Sequence, residues 1–235
     1  MNKIKFIILP KQIKNILLQR NELLSNSQKY LRKLFGRFLF TKLFIYFFRK
    51  KNIEKLYFQR LEKEYYSVYY LLKKCKKKNY ILSIGCGLGG LEVLIHNRIL
   101  NNAKFYLFER NFTSSKVVYG FDLKNKEAYN SIEDTKLFIN NNSFNKSNFF
   151  LFDVDNDNLP KIKFDVIISL LSLDYHYPFD LYYKYLKKNS HKSTIFIFDT
   201  GRPSYFKKIF KVVKIISQNK KKIHSSTRII CKNFC

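Results

Sequence analysis

The chain has 235 residues, of which 46% are hydrophobic, so it is long enough and apolar enough for one folded domain with an extension. This composition excludes an intrinsically disordered chain. The formal net charge of +28 indicates either a polyanionic or anionic-membrane partner, or only a bias toward lysine that accompanies the abundant Asn, Ile, Tyr and Phe.

The positive charge is concentrated in the N-terminal third of the chain. Residues 1–78 contain 21 basic and 4 acidic side chains, a net charge of +17, whereas residues 79–235 contain 24 and 13, a net charge of +11. The charged sequence "KKCKKK" at 73–78 closes this third. We therefore predict a basic N-terminal extension over 1–78 and a second domain over 79–235.

The cysteines and the apolar runs bear on the compartment. No CxxC pair occurs, so we expect free thiols in a reducing compartment and no metal site. The N-terminus has four consecutive apolar residues before a proline, too few for a signal peptide, and no charge-free apolar run approaches the roughly 20 residues of a membrane span. The sequence predicts a cytoplasmic protein.

The N-terminal extension is predicted to be helical. The segment 53–74 contains no Gly or Pro, and its apolar residues recur at a helical period between charged residues. The residues of this predicted stripe are Leu56, Tyr57, Leu61, Tyr65 and Val68.

A second helical segment, residues 34–48, is dense in Phe and Leu and is bordered by basic residues. This pattern is typical of an amphipathic helix that lies on an anionic membrane, at the inner face in a cytoplasmic protein. It is equally typical of a helix that packs across the second domain while its lysines reach water. Both interpretations remain open at this point.

From Tyr80 onward, short apolar runs alternate with helical segments. Five such runs joined by helices predict a parallel sheet covered on both faces, a doubly wound α/β fold. Two further runs near the C-terminus have no helix between them and predict an antiparallel hairpin that completes a seven-stranded sheet. The runs, in chain order, are "YILSIG", "AKFYLFER", "SNFFLFDVD", "FDVIISLLS", "STIFIFD", "KVVKIIS" and "STRIICK".

The first of these strands ends in a turn that holds four of the 7 glycines, in "NYILSIGCGLGGLE". Glycine permits a tight turn and a close approach of a ligand to the backbone, and the helix that follows offers free N–H donors. Gly85, Gly87 and Gly90 fit the dinucleotide fingerprint G-x-G-x-x-G, whereas Gly85, Gly87 and Gly89 fit G-x-G-x-G. Glu109, at the end of the second strand, can accept hydrogen bonds from ribose hydroxyls in either case.

Over residues 79–233 the chain resembles the class I S-adenosylmethionine (SAM)-dependent methyltransferases. The resemblance lies in "ILSIGCGLGGLE", "YLFERN", "FDVIISLLSLDYHYP", "STIFIFD" and the terminal strand pair. A dinucleotide fold continues with further crossover units, whereas this chain ends in a hairpin. The resemblance implies a Rossmann-like methyltransferase fold with SAM as the cofactor.

The resemblance also implies roles for individual residues. Gly85, Gly87 and Gly89 would cradle the methionine part of SAM, and Glu109 would hold its ribose. Either Asp153 or Asp155, after the third strand, would lie near adenine. The family often has an acid two residues before the first glycine; here Ser83 stands in that place and can still form a hydrogen bond.

The segments "YGF" at 119–121, "AYNS" at 128–131 and "LSLDYHYP" at 171–178 are similar to a bacterial subset of sugar O-methyltransferases. This narrower resemblance implies a saccharide or another small polar acceptor. The chain lacks the Asn-Pro-Pro-Tyr type of tetrad used for amine methylation, which favours an oxygen nucleophile.

The candidate chemistry lies after the fourth strand, in "SLDYHYP", at the ligand-binding edge of such a sheet. His176 is the candidate base, oriented by Asp174, because imidazole takes up protons near neutral pH. Tyr175 and Arg202 are candidate substrate residues, with Arg202 binding an anionic group. The alternatives are a packing role for His176 and a surface position for Arg202 at a helix start.

Two further functions fit the sequence. One is an RNA methyltransferase with the basic extension as its platform; it is not favoured, because the phenylalanines bunch on a helix. The other is a non-catalytic, methyltransferase-like scaffold or peripheral membrane protein, which the serine at position 83 favours. We expect the SAM-dependent O-methyltransferase.

Overall fold

The computed structural model describes residues 6–45, 50–74, 79–114, 128–174, 177–219 and 226–235. Within them the N-terminal third is helical and the rest alternates between strands and helices. The helices are α1 (Pro10–Gln19), α2 (Asn26–Phe35), α3 (Arg37–Phe44), α4 (Lys50–Lys74), α5 (Gly90–Ile99), α6 (Ile132–Asn142), α7 (Asp180–Lys188) and α8 (Pro203–Phe206). The strands are β1 (Tyr80–Ile84), β2 (Lys104–Glu109), β3 (Phe149–Asp153), β4 (Phe164–Ser169), β5 (Ser190–Thr200), β6 (Phe210–Asn219) and β7 (Ser226–Phe234).

The strands form one seven-stranded sheet in the order β3-β2-β1-β4-β5-β7-β6. Strands β1 to β5 pair parallel with one another, and β7 pairs antiparallel with both β5 and β6. The predicted seven-stranded α/β fold with a C-terminal antiparallel hairpin is confirmed. Every residue of β4 is buried, as expected for a central strand covered by helices on both faces.

Two apolar cores cover the two faces of the sheet. One contains residues of α1, α4, α5 and α6 together with Ile81, Leu107 and Ile168. The other is rich in phenylalanine and lies beneath α7 and α8. The N-terminal helices therefore cover one face of the sheet and share its core.

Helix α4 buries a stripe of six apolar side chains that recur every three or four residues. Leu56, which the sequence placed on this stripe, is 43% exposed, so that prediction is wrong. The helix turns by about 100° per residue, so Leu56 lies beside the stripe and Leu72 continues it. The buried apolar residues of the stripe are Ile53, Tyr57, Leu61, Tyr65, Val68 and Leu72.

The apolar segment 34–48 does not form one helix. Gly36 has φ +75° and ψ 160°, which ends α2 and starts α3. Residues 46–49 lie outside the described part of the chain. Phe40 and Thr41 face the interior, whereas Leu39 and Leu43 are about half exposed, at 48% and 46%. This pair of helices is thus partly packed on the protein and partly open to its surroundings.

Candidate functional site

The candidate site lies where the carboxyl ends of β1, β2, β3 and β4 meet. The strand order reverses between β1 and β4, since β2 and β3 lie to one side of β1 and β5 lies beyond β4. The crevice at such a reversal is the usual ligand site of an open parallel sheet. The glycine turn, Glu109, Asp153 and the loop that begins at Leu170 all lie at this edge.

Three glycines of the turn have left-handed backbones, with φ of +71° at Gly85, +59° at Gly87 and +76° at Gly89. Side-chain-bearing residues rarely adopt these values. A Cβ on Gly85 would also lie 1.9 Å from Oγ of Ser172. The sequence of this turn is therefore dictated by backbone conformation and, at Gly85, by the close approach of the loop after β4.

Gly90 has a different role from the three glycines before it. It is the first residue of α5, and a Cβ there would lie 2.5 Å from Cδ1 of Leu61 and 2.8 Å from the hydroxyl of Tyr57. Gly90 therefore permits α4 to pack closely on α5.

The carboxylate of Glu109 lies against the glycine turn. The backbone N–H of Gly87 donates to its Oε2 (2.7 Å), and the backbone N–H of Arg110 donates to its Oε1 (3.0 Å). Burial outweighs these donors and raises the pKa of Glu109 to about 7. Each carboxylate oxygen has two lone pairs, so each retains one acceptor position beyond these bonds.

A second carboxylate, which sequence reasoning missed, lies beneath the same turn. The hydroxyl of Ser83 donates to Oε1 of Glu92 (2.6 Å), and both residues are buried. Burial raises the pKa of Glu92 to about 7, and its Oε2 has no hydrogen-bond partner among the described residues. Position 83 has no acid, but Glu92 of α5 brings a carboxylate into contact with the serine that stands there. The only signal in the sequence was a Glu two residues after Gly90.

Two side chains hold the backbone of the turn from the start of α6. Asn130 Nδ2 and Thr135 Oγ1 both donate to the carbonyl oxygen of Gly87, at 2.7 and 2.8 Å. Asn130 is 2% exposed, and its Oδ1 has no hydrogen-bond partner within the described residues. The turn is therefore flanked by two buried acceptor atoms without donors, one on Asn130 and one on Glu92.

Helix α1 reaches the turn through Gln19. Its Nε2 donates to the carbonyl oxygen of Tyr129 (2.9 Å). Its Oε1 lies 2.7 Å from the position that a Cβ on Gly87 would occupy. The N-terminal region, which the sequence separated from the second domain, thus contributes a side chain to the wall of the site.

The two aspartates predicted near adenine have different partners. The carboxylate of Asp153 accepts from the backbone N–H of Asp155 (3.1 Å) and from Asn156 Nδ2 (2.6 Å), which shapes the turn after β3. Asp155 forms an ion pair with Arg110 (3.2 Å). Asp153 pairs with Glu109 in the sheet register, so both aspartates lie beside the ribose candidate. Which of them approaches adenine stays a prediction.

Two non-glycine residues in the described part of the loop after β4 have left-handed backbones, Leu171 (φ +57°) and Asp174 (φ +63°). Such backbones concentrate at functional sites. The buried carboxylate of Asp174 accepts from Thr200 Oγ1 (2.5 Å) and from Nε (2.9 Å) and Nη2 (2.5 Å) of Arg202. Hydrogen bonding to Asp174 raises the pKa of Arg202.

The predicted catalytic and substrate residues are thus partly accounted for. Asp174 and Arg202, predicted separately, contact each other directly. Tyr175 and His176 lie outside the described residues, so the role of His176 as a base, and of Asp174 in orienting it, stays a prediction. Among the described residues, no group of three or more His, Cys, Asp or Glu is arranged to bind a metal. None of the described helices has the length and apolar character to cross a bilayer.

Comparison with known proteins identifies the fold. No family model matches the chain, and no curated protein matches its sequence. Among solved structures, the StiE O-methyltransferase domain, residues 961–1257, matches with a TM-score of 0.53 at 10% identity, over 87% of this chain and 81% of that domain. The chain therefore has the fold of the class I SAM-dependent methyltransferases, as the sequence predicted.

Two further matches have lower scores. Magnesium protoporphyrin IX methyltransferase from Synechocystis PCC 6803, solved with bound SAM, has a TM-score of 0.45 at 13% identity and 94% and 97% coverage of the two chains. Precorrin-6y C5,15-methyltransferase from Geobacter metallireducens has a TM-score of 0.41 at 13% identity and 68% and 82% coverage. The chain spans 60% and 34% of two other matched structures.

Proposed function

We propose that the protein is a SAM-dependent methyltransferase that methylates a hydroxyl of a saccharide or another small polar acceptor. The observation that carries this proposal is the hydrogen bond between the Glu109 carboxylate and the Gly87 N–H. It joins the ribose candidate to the glycine turn in one site, at the sheet edge where this fold binds its ligand.

The residues of the site fit SAM. The left-handed glycines leave bare backbone at the turn, and the remaining acceptor positions of Glu109 suit the two hydroxyls of a ribose. The unpartnered Oε2 of Glu92 and Oδ1 of Asn130 are acceptors that suit the ammonium group of a methionine tail. When bound, SAM supplies a methyl group made electrophilic by its sulfonium.

The remaining work falls to side chains of the acceptor pocket. Methyl transfer is an in-line displacement, so alignment of the acceptor hydroxyl supplies much of the rate. His176 takes up the hydroxyl proton in this proposal. The carboxylate of Asp174 is held by its ion pair with Arg202 and by the hydrogen bond from Thr200. Asp174 follows Leu171, whose backbone is left-handed, and in this proposal it holds the loop that carries His176.

Calorimetric titration with SAM tests the cofactor. We expect saturable heat and a rise in melting temperature, because a ligand at a hundredfold excess over its Kd stabilises a fold by about 2.7 kcal/mol. Glu109→Ala should weaken SAM binding by about tenfold or more, since hydrogen bonds to a charged group are worth about 1.5–3 kcal/mol. Glu133→Ala, an exposed acid, is the matched control.

Absence of heat and of any melting shift at millimolar SAM would contradict the proposal and leave the non-catalytic scaffold. The RNA methyltransferase requires methyl transfer to RNA with a steep salt dependence. Transfer of a labelled methyl group to saccharide fractions of a lysate, and not to RNA, is the result that we expect.

His176→Ala should lower kcat by about 10²–10⁴-fold while SAM affinity stays unchanged, because a general base acts on the acceptor proton and not on the cofactor. The measurement is single-turnover methyl transfer alongside SAM calorimetry. Unaltered kcat would assign His176 to packing, and a matched loss of SAM affinity would assign it to cofactor binding.

A further inference from the structure

Four exposed apolar side chains of α2 and α3 recur at a spacing of one helical turn, and we call them the α2–α3 apolar face. Tyr30 and Leu34 lie one turn apart on α2, with exposed fractions of 69% and 67%. Leu39 and Leu43 lie one turn apart on α3, with exposed fractions of 48% and 46%. Residues four positions apart lie on the same side of a helix, so each helix presents a continuous apolar strip.

These side chains are not needed to hold the helices in place, because the opposite sides do so. Arg32 is buried and donates to the carbonyl oxygens of Leu17 (2.7 Å) and Leu18 (3.2 Å) at the end of α1. On α3, Phe40 and Thr41 are fully buried. Exposed apolar strips on a helix pair anchored from its other side are typical of an interaction surface.

The charge around this face indicates the partner. Residues 6–45 contain eight basic side chains and one acidic one, and Lys33 and Lys42 are exposed beside the leucines. A second copy of the same cationic face would be repelled. Apolar side chains interleaved with lysines match an anionic bilayer, in which the leucines enter the interface and the lysines meet lipid phosphates.

We propose that the α2–α3 apolar face docks the protein on anionic membranes. The same helix pair contacts Tyr129, which precedes Asn130 of the candidate site: the guanidinium of Arg37 lies 4.8 Å from the ring centroid of Tyr129, and the ring of Phe38 lies 5.8 Å from it. The neighbouring Asn130 holds the glycine turn. A docked membrane therefore lies near the site, which suits an acceptor hydroxyl carried on an amphiphile at the bilayer surface. This choice of acceptor rests on the proposed function, whereas the docking itself does not.

Vesicle sedimentation with the full chain tests the docking. We expect binding to vesicles of equal parts phosphatidylglycerol and phosphatidylcholine, and little binding to phosphatidylcholine alone. Leu34→Ser/Leu39→Ser should weaken binding to the anionic vesicles by about tenfold or more, because burial of one leucine is worth about 1.5–3 kcal/mol. Leu181→Ser/Ile215→Ser removes two apolar side chains of similar exposure elsewhere, 49% and 53%, and should bind like the wild type.

Three results would overturn the docking proposal. The first is that the wild type does not bind anionic vesicles, and the second is that the wild type and Leu34→Ser/Leu39→Ser bind them equally. The third is a dimer in analytical ultracentrifugation that this variant abolishes, because that result would assign the face to a second copy of the chain. Circular dichroism of the variant verifies its fold. SAM calorimetry should give the same affinity for wild type and variant. If the protein binds SAM but not vesicles, the docking proposal fails and the proposed function stands. If it binds vesicles but not SAM, the proposed function fails and the docking proposal stands.

Discussion

At Gly85 both the backbone conformation and the packing of a neighbouring loop exclude a Cβ atom. The left-handed φ alone disfavours any residue with a Cβ, by about 1–2 kcal/mol. The Cβ would also overlap the hydroxyl group of Ser172, which belongs to the loop after β4. The first strand and the fourth strand are thus fitted to each other at the point where the candidate cofactor site begins.

We predict that Gly85→Ala lowers the free energy of unfolding by about 2–5 kcal/mol, the sum of backbone strain and overpacking. Urea denaturation measures this change. In a Ser172→Gly background the same substitution should cost only the backbone part, about 1–2 kcal/mol. Equal penalties in the two backgrounds would show that the contact with Ser172 is not tight.

Glu92 makes stability depend on pH. Its pKa rises from the ordinary 4.5 to about 7 because it is buried, so the folded state holds the proton more tightly than the unfolded state does. This contribution is fully present below about pH 4.5 and is lost as pH rises through about 7; a shift of this size corresponds to about 3 kcal/mol.

We predict that Glu92→Gln is more favourable, relative to wild type, at about pH 8 than at about pH 5, because the amide cannot carry a buried charge. Urea denaturation across this pH range gives the two stability curves. Glu133→Gln, whose side chain is 77% exposed, serves as control and should leave the slope unchanged. Parallel curves for Glu92→Gln and wild type would contradict the raised pKa.

At the scale of elements, the break between α2 and α3 depends on one glycine. Gly36 has a backbone (φ +75°, ψ 160°) that is essentially restricted to glycine, and no atom lies within 4 Å of the place of its Cβ. A substitution there tests backbone strain without a steric clash.

We predict that Gly36→Ala destabilises the protein by about 1–3 kcal/mol, the usual cost of holding an alanine in this region. Gly201→Ala is the matched control, since Gly201 also has open space around its Cβ position but no left-handed φ. Thermal unfolding of both variants measures the difference. If the two variants melted alike, α2 and α3 would not need this geometry.

The strands were predictable because their side chains repeat a simple pattern over five or six residues. The wholly buried β4 and the strand that ends in the glycine turn are examples. The helix boundaries were less predictable, because they depend on contacts with distant residues. Tyr129 bridges Thr113 and the side chain of Ser131 caps α6, so this helix begins at Ile132. Helix α8 likewise ends at Phe206, shortly before β6 begins at Phe210.

The residues of the candidate site also fall into some that the sequence predicted and some that it did not. Gly85, Gly87 and Glu109 were predicted because they end two neighbouring strands. Gln19 and Asn130 were missed because their contacts join segments far apart in the chain; Gln19 bonds to a carbonyl 110 residues away. No local pattern records which helix will lie over a turn, so these side chains become visible only when the fold brings α1 and α6 together.

At the scale of the whole molecule, the N-terminal helices and the sheet are joined by charge as well as by apolar contact. Arg20, after α1, pairs with the buried Glu64 of α4 (2.5 Å). Although burial acts in the opposite direction, the charge of Arg20 lowers the pKa of Glu64. Arg228 of β7 donates to both oxygens of Asp199 on β5 (2.7 Å each) and also to the hydroxyl of Ser67 on α4.

Of these contacts, the bond from Arg228 to Ser67 crosses the predicted boundary between residues 1–78 and 79–235, whereas the pair of Arg20 and Glu64 lies within the first part. If the sheet domain stood alone, the surface of α5 around Gly90, now covered by Leu61 and Tyr57 of α4, would face water. Exposure of a surface of this kind favours aggregation. The two predicted parts should therefore behave as one cooperative unit.

The test is to insert a protease site between residues 74 and 79 and to cleave the folded protein there. We predict that the two pieces co-elute in gel filtration and unfold in a single transition, because α4 and α5 share a core and Arg228 binds α4 across the cut. The uncleaved insertion variant controls for the inserted sequence. Expressed alone, residues 79–235 should aggregate; a soluble fragment with its own sharp melting transition would instead establish the N-terminal helices as a separate domain.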